Sequence, residues 1–197
     1  MEQLIQPFIE FIKTLVENSN IFISVSLGVF IIILESIIPI LPLAVFIAIN
    51  MLVLGNTLGF VVSWIATIIG SSLSFIIFRK FKNFIYNKMN NNIKFKKFDK
   101  FMIKIGNIQF SKLVLILAIP FTPAFSINIA AGLSEMSYRK YLFALIISKI
   151  FLVYFWGFVG TTFVESITDI NIIMELFILI LIAYLISKFV VKKFNIK

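Results

Sequence analysis

The sequence contains no cysteine and no histidine, and only 14% of its residues are charged. Without cysteine the chain has no disulfide, thiolate metal site or redox pair. Without histidine it lacks the commonest general base and a common metal ligand. The acidic residues Glu165, Asp169 and Glu175 are too scattered to predict a metal cluster. We therefore expect neither an enzyme nor a bound cofactor.

The residues that dominate the sequence are apolar. Hydrophobic residues make up 60% of the chain and the mean hydropathy is +1.06, whereas a soluble domain is roughly 45 to 50% apolar. This composition predicts an integral membrane protein. The 197 residues include no long polar linker, so residues 1–197 are expected to form a single membrane domain. Nucleic acid is not an expected partner of so apolar a chain, although its net charge is +9.

A first apolar stretch runs from Ile21 to Leu54 and contains Pro39 and Pro42. Its length of about 34 residues exceeds one membrane span of roughly 20 residues and is too short for two spans and a turn. Proline removes a backbone donor, and in hydrocarbon the freed carbonyl needs protein or a watery cavity around it. We therefore predict a re-entrant hairpin that bends at these prolines.

The same proline spacing returns 81 residues later at Pro120 and Pro123, inside the uncharged run of residues 113–133. If this run crossed the membrane, the basic segments after it would lie on the outer side, against the positive-inside rule. A second hairpin that enters and returns removes the conflict. It places the loop 79–112, the link 134–140 and the C-terminal tail in the cytoplasm.

The two hairpins predict the fold class, an all-α integral membrane protein with an inverted repeat in which two proline-broken re-entrant hairpins face each other. Repeat 1 covers about residues 21–79 and repeat 2 about residues 101–162. About three full transmembrane helices are expected, at residues 60–78, 141–164 and 170–187, together with amphipathic interfacial helices. Paired interruptions in two halves of a chain point to a transport site at mid-membrane.

Two amphipathic helices are expected at the membrane interface. One covers residues 4–16, and no cleavable signal peptide is predicted there. The other lies in the loop 79–112, which carries ten Lys or Arg residues against Asp99 alone. Its apolar face runs from Phe95 to Ile105, and its lysines would attract anionic lipids by roughly 1 kcal/mol each. A solvated loop that only sets the topology is the alternative.

A stripe of small residues marks the predicted span at residues 60–78. Such a stripe lets the backbone of another helix approach closely in a membrane, so packing explains it. A turn is predicted just before the span, from Gly55 to Gly59. The stripe consists of Gly59, Ser63, Ala66, Gly70 and Ser74.

Polar residues at the depth of the hairpins form the candidate site. A charged side chain there costs at least about 2.5 kcal/mol and is usually functional. Glu35 is the strongest candidate, and Lys149, about 13 Å deeper along its helix than Lys140, is the second. The predicted site residues are Glu35, Ser36, Pro39, Pro42, Pro120, Thr122, Pro123, Ser126, Asn128, Gly132 and Lys149.

In this order and spacing the chain resembles the VTT-domain or DedA superfamily, which includes the SNARE-associated Golgi membrane proteins, over about residues 25–165. The resemblance rests on Glu35 before the first proline pair and on a glycine-rich helix that ends in Arg79. It also rests on the run IPFTPAFSINIAAGLSEM, which Gly157 and Gly160 follow. The second hairpin is similar to that of the bacterial Tvp-like branch.

The resemblance implies two facing re-entrant loops and a role in moving lipids, since members are linked to phospholipid scrambling and to recycling of polyprenyl-phosphate carriers. It also implies cations that this chain lacks. Members usually have an arginine at the place of Leu117, and DedA-type members often have another at the place of Pro123. Lys149 is the candidate replacement.

The leading hypothesis is a lipid scramblase or lipid-phosphate transporter of a bacterial plasma membrane. Its partners would be membrane lipids with anionic headgroups, with protons as a candidate coupling ion through Glu35. The chain has no Walker loop, so directional transport would need an ion gradient. Two alternatives stay open: a transporter of small ions or solutes that uses Glu35 and Lys149 as a relay, and a membrane scaffold that does not transport.

Overall fold

The computed structural model describes residues 21–38, 43–89, 93–166 and 169–194, and within these ranges the chain is helical and contains no strand. The predicted N-terminal amphipathic helix lies outside the described residues. In chain order the helices are α1 (Ile21–Ile37), α2 (Leu43–Leu54), α3 (Asn56–Lys80), α4 (Lys82–Met89), α5 (Ile93–Gly106), α6 (Phe110–Ala118), α7 (Ala124–Leu133), α8 (Tyr138–Glu165) and α9 (Ile170–Lys193).

Three of these helices, α3, α8 and α9, are long and apolar enough to cross a membrane. They coincide with the three predicted spans and extend beyond them at one or both ends. The prediction of an all-α membrane protein with about three full spans is therefore confirmed.

The turn before α3 is shorter than predicted. Only Gly55 lies outside the helices, with φ +79°, a left-handed conformation that favours glycine. The Gly59 N–H donates to the Gly55 carbonyl at 2.8 Å, so α3 begins at once. The prediction that Gly59 belongs to the turn is wrong, because one left-handed residue suffices to reverse the chain. Gly59 instead packs against the backbone of α2.

Both predicted interruptions break the helical chain. The helix α1 ends at Ile37 and α2 begins at Leu43, while Pro39 and Pro42 lie outside the described residues. The second break falls between α6 and α7 and contains Pro120 and Pro123. Pro123 is the N-cap of α7, a position where its missing N–H leaves no bond unmade. Residues 113–133 therefore belong to two short helices rather than to one continuous helix.

The long helices α3 and α8 are antiparallel and lie between the two hairpins. The Trp64 indole N–H donates to the Ile146 carbonyl at 3.0 Å. Further along α3, the Phe75 ring stacks on the Tyr141 ring with centroids 4.7 Å apart. One end of the bundle thus holds the end of α3 and the start of α8, and we call it the Arg79 end. The other end is the Gly55 end.

The hairpins enter from opposite ends. From the Gly55 end, α1 brings Ser36 against Gly70, which lies about 21 Å along α3. From the Arg79 end, α6 leads to Phe121, whose ring contacts Trp156 at 5.1 Å, about 27 Å along α8. The two hairpins therefore overlap in depth within the bundle, which is consistent with the predicted inverted repeat.

Packing interlocks the two repeats. The first limb of each hairpin packs against the long helix of its own repeat, α1 on α3 and α6 on α8. The second limb of each hairpin reaches the long helix of the other repeat, α2 on α8 and α7 on α3. The small-residue stripe of α3 is buried in these contacts, as predicted. At Gly70 an added Cβ would lie 2.6 Å from the Ser36 Cβ, so only glycine permits this approach.

The apolar face of α5 packs on the protein itself, which corrects the prediction that it lies on a membrane surface. Met102 and Ile105 are 1% and 0% exposed, in a cluster with Leu133 and Met136. Phe101 packs against the same cluster. Amphipathic spacing shows that one face is buried but not what buries it. Here the end of α7 supplies the apolar partner.

The three basic segments all lie at the Arg79 end. Lys82 forms an ion pair with Glu135, and this hydrogen bond holds the pKa of the Glu135 carboxyl below its usual value. Lys140 donates to the carbonyl of Ile108, and the Lys112 ammonium lies 5.9 Å from the centre of the ring of Phe194 in the C-terminal segment. The predicted topology requires this shared end.

Arg79 ties the second hairpin to α3. Its guanidinium donates to the carbonyls of Ala131 at 3.2 Å and Met136 at 2.7 Å, and also to that of Gly132. These bonds satisfy carbonyls at and beyond the end of α7 that have no helical partner. The guanidinium also lies 4.7 Å from the centre of the Phe75 ring.

We predict that Arg79→Lys lowers the free energy of unfolding by about 1 to 3 kcal/mol, because an ammonium cannot serve the same three carbonyls in a planar fork. Thermal unfolding in detergent measures the change. The same substitution at the exposed Arg139 is the control and should change little. Equal unfolding temperatures for the two variants would contradict the role given to Arg79.

Candidate functional site

Glu35 and Lys149 are opposite charges that come from different repeats. Lys149 is 2% exposed and lies about 16 Å along α8 from the Arg79 end. Glu35 precedes Ser36, whose contact Gly70 lies about 15 Å from the same end of α3. The two charged groups attract each other electrostatically. Within the described residues they make no direct ion pair shorter than 4.0 Å.

The neighbouring hydroxyl groups are occupied by their own helices. The Ser36 hydroxyl donates to the Ile32 carbonyl at 2.9 Å. The Ser148 hydroxyl, next to Lys149, donates to the Leu145 carbonyl at 3.3 Å. Each hydroxyl has thus used its one proton, so it can accept a hydrogen bond from an ammonium but cannot donate one to a carboxylate. Electrostatic attraction between Glu35 and Lys149 offsets part of the cost of burying Lys149.

The tip of the second hairpin is strained. Phe121 has φ +63°, a left-handed conformation that costs a bulky residue on the order of 1 to 3 kcal/mol. Its ring is held edge-on against Trp156 at 5.1 Å and Tyr184 at 5.9 Å between centroids. The Thr122 hydroxyl is buried and finds no hydrogen-bond partner among the described residues. Strain and an unsatisfied hydroxyl together at one tip are features of a functional segment.

Two apolar cavities flank α9. One of about 420 Å³ lies between α2, α8 and α9, and its lining includes Ala44, Trp156 and Phe177. The other, of about 580 Å³, lies between α6, α8 and α9 and is lined by Pro120 and Ala183 among others. The Phe121 ring lies where they approach each other, since it contacts Trp156 of the first and follows Pro120 of the second. Both cavities are suited to hydrocarbon.

The predicted site residues fall into separate places. Asn128 is buried and accepts a hydrogen bond from the Tyr141 hydroxyl at 2.6 Å, about 12 Å along α8 from Lys149. Gly132 packs against the backbone of Phe75, where an added Cβ would lie 2.6 Å from the carbonyl oxygen. Both residues therefore hold α7 in place. Ser126 is half-buried on α7.

The structure brings together Glu35, Ser36 and Lys149. It places Pro120, Thr122 and Pro123 at the other tip, about 10 Å further along α8 from Lys149.

Sequence reasoning missed a pair of interactions that repeats in both halves. The Asn50 amide donates to the Ser63 hydroxyl at 3.1 Å, and Asn128 accepts from Tyr141. In each case the partner follows 13 residues later, on the next long helix. The signal available was an asparagine in the second limb of each hairpin. In both halves a residue with a hydroxyl group, Ser63 or Tyr141, follows the asparagine by 13 positions, and this shared spacing would have identified the partner.

A protein of known sequence is similar to this chain over most of its length. Over 130 residues, 64% of this chain, the sequence is 30% identical to the "uncharacterized membrane protein YhjE" of Bacillus subtilis (strain 168). The match spans 60% of the length of that relative. No solved structure matches the chain.

The VTT domain matches residues 38–162. The matched region contains the long helix α3, most of α8, the second hairpin and Lys149. Glu35 lies three residues before it. The match covers more than half of the chain, and so the protein belongs to the VTT domain family, as the resemblance of its hairpins indicated.

Proposed function

We propose that this protein moves phospholipids or polyprenyl phosphates across the membrane, with headgroups passing Glu35 and Lys149 while tails stay in hydrocarbon. The observation that carries the proposal is a pair of opposite charges contributed by the two repeats, the half-buried Glu35 and the buried Lys149. A lipid phosphate is attracted by the Lys149 ammonium, and a headgroup amine by the Glu35 carboxylate. The pair thus complements the charges of a phospholipid headgroup.

The apolar cavities beside α9 favour a lipid over a water-soluble substrate. A lipid needs polar groups for its headgroup only, and its tails need an apolar path that opens toward the membrane. The cavities of about 420 and 580 Å³ supply such surfaces on two sides of the Phe121 tip. The helix α9 is mostly exposed, so hydrocarbon would reach both cavities from the side.

The orientation follows from charge. In a bacterial plasma membrane the positive-inside rule places the Arg79 end in the cytoplasm. The first hairpin then re-enters from the outer side and the second from the cytoplasmic side. Each hairpin brings a broken helix and its free backbone groups to mid-depth, as in transporters with inverted repeats.

A second candidate function uses the same pair. Glu35 and Lys149 are the charges that a relay for protons or small ions would need. Transport in that case would not move lipid. A scaffold in which the pair only pins the two repeats together would transport neither, and in none of these functions does the chain act as an enzyme.

Purified protein in liposomes distinguishes these functions. The assay follows exposure of labelled phospholipid and of labelled polyprenyl phosphate, with and without a pH gradient. Lipid movement above that of empty liposomes supports the proposal. Proton or solute flux without lipid movement would support the relay. Absence of both lipid movement and flux would support the scaffold.

We predict that Glu35→Gln leaves a folded protein but abolishes lipid transport or its pH dependence. The amide still hydrogen-bonds but cannot carry a proton or a charge. The control is Glu175→Gln on the exposed face of α9, which should transport normally. Unfolding temperature and transport are measured on both variants. If Glu35→Gln loses stability and activity to the same extent, the role of Glu35 is structural. Full transport by Glu35→Gln at every pH would contradict proton-linked transport through Glu35.

Lys149→Met should slow transport of anionic lipids more than that of zwitterionic lipids. A net-anionic headgroup gains most from a cation in a low dielectric, and this ammonium replaces the arginine that the family resemblance implies. Lys188→Met removes an exposed lysine of α9 and serves as the control. Equal slowing of both lipid classes would contradict a role for Lys149 in recognising the phosphate.

Cysteine labelling tests the topology without background, because the natural chain contains no cysteine. A cysteine substituted at the exposed Ser137 should react with an impermeant reagent only from the cytoplasmic side. Asn56→Cys, at the Gly55 end, should react only from outside. Labelling of Ser137→Cys from the outside alone would mean that residues 113–133 cross the membrane.

A further inference from the structure

A basic cleft lies at the Arg79 end, between the corner of α5 and α6 and the residue that follows α9. Its volume is about 470 Å³. Three lysines, two side-chain amides and one aromatic ring contribute to its lining: Lys100, Lys104, Lys112, Asn107, Gln109 and Phe194. The family resemblance and the proposed transport path assign no role to these residues.

The packing of α5 determines which way its lysines Lys100 and Lys104 face. Met102 and Ile105 are buried in the protein, which turns Lys100 and Lys104, four residues apart, outward on one helical face. The axes of α5 and α6 then diverge by 119°, so that Lys112 faces the same cleft from the next helix. Its ammonium lies 5.9 Å from the centre of the Phe194 ring.

The cleft concentrates positive charge. None of the described residues that line it is acidic. Asp99, next to Lys100 in sequence, is not among the residues that line the cleft and accepts a hydrogen bond from the Tyr86 hydroxyl at 2.8 Å. The lysines of the cleft therefore present a field that attracts an anion.

Backbone donors add to this field. Gln109 is the N-cap of α6, and its side chain makes no capping bond. The first helical bond of α6 runs from the Leu113 N–H to the Gln109 carbonyl, so the N–H groups of the preceding turn have no helical partner. Such N–H groups, together with the positive end of the helix dipole, favour phosphate.

We propose that this cleft binds the phosphate of an anionic phospholipid. A lipid fits better than soluble phosphate because apolar side chains adjoin the cations. Ile103 lines the cleft and is 57% exposed, and Phe110 at the start of α6 is 41% exposed. The cleft thus offers cations to a headgroup beside apolar surface for an acyl chain. The proposal holds whether or not the protein transports lipid.

Native mass spectrometry of the detergent-solubilised full chain tests the proposal, with phosphatidylglycerol and phosphatidylcholine added in parallel. The wild type should retain phosphatidylglycerol preferentially. The combined variant Lys100→Gln, Lys104→Gln and Lys112→Gln should lose this preference, with affinity falling about fivefold for each lysine removed. All three lysines are exposed, so folding should be unchanged, and thermal unfolding checks this.

A matched control removes the same charge elsewhere, with Lys80→Gln, Lys88→Gln and Lys188→Gln at exposed positions. It should bind phosphatidylglycerol like the wild type. Equal loss in both triple variants would overturn the proposal, since net charge alone would then explain binding. Displacement of the lipid by millimolar inorganic phosphate would overturn the lipid assignment. If the triple cleft variant unfolds, the single variants Lys112→Gln and Lys88→Gln are compared instead. Phosphatidylglycerol binding should then fall for Lys112→Gln only, and an equal loss in both would overturn the proposal.

Discussion

The structure depends on burying two broken helices inside an apolar bundle. Each break frees backbone groups that hydrocarbon cannot satisfy, so each hairpin must be covered by protein. The long helices α3 and α8 provide this cover for both hairpins, and close approaches such as that at Gly70 let α1 and α2 pack on them. Because each second limb reaches the long helix of the other repeat, neither repeat could bury its own hairpin alone.

This interlocking also explains how opposite charges from the two repeats come to a similar depth. Glu35 is carried by a helix of the first repeat and Lys149 by the long helix of the second, and both lie about 15 Å from the Arg79 end. Each charge lowers the cost of placing the other at this depth. The apolar cavities beside α9 and the strained Phe121 lie about 10 Å further on. In the proposed transport, a headgroup path and a tail path would thus lie side by side.

Much of the fold could be predicted from the sequence, because proline spacing and charge determine where a membrane helix must break and which segments share an end. The apolar face of α5 was misassigned, since its periodicity does not distinguish a membrane from a neighbouring helix. Asn128 was predicted to line the site, and the structure shows that it bonds to Tyr141. That pairing is visible in the sequence only when the 13-residue spacing is compared with that of Asn50 and Ser63 in the other half. The positive φ of Phe121 left no sequence signal, because the left-handed region normally favours glycine.

The central claim is that Glu35 and Lys149 act on the headgroup as one unit. A double-mutant cycle of lipid translocation in liposomes tests it most directly, with Glu35→Gln, Lys149→Met and the two combined. If the residues act together, the double variant should be no slower than the slower single variant. Independent effects that multiply in the double variant, or translocation at the wild-type rate in all three variants, would contradict the account.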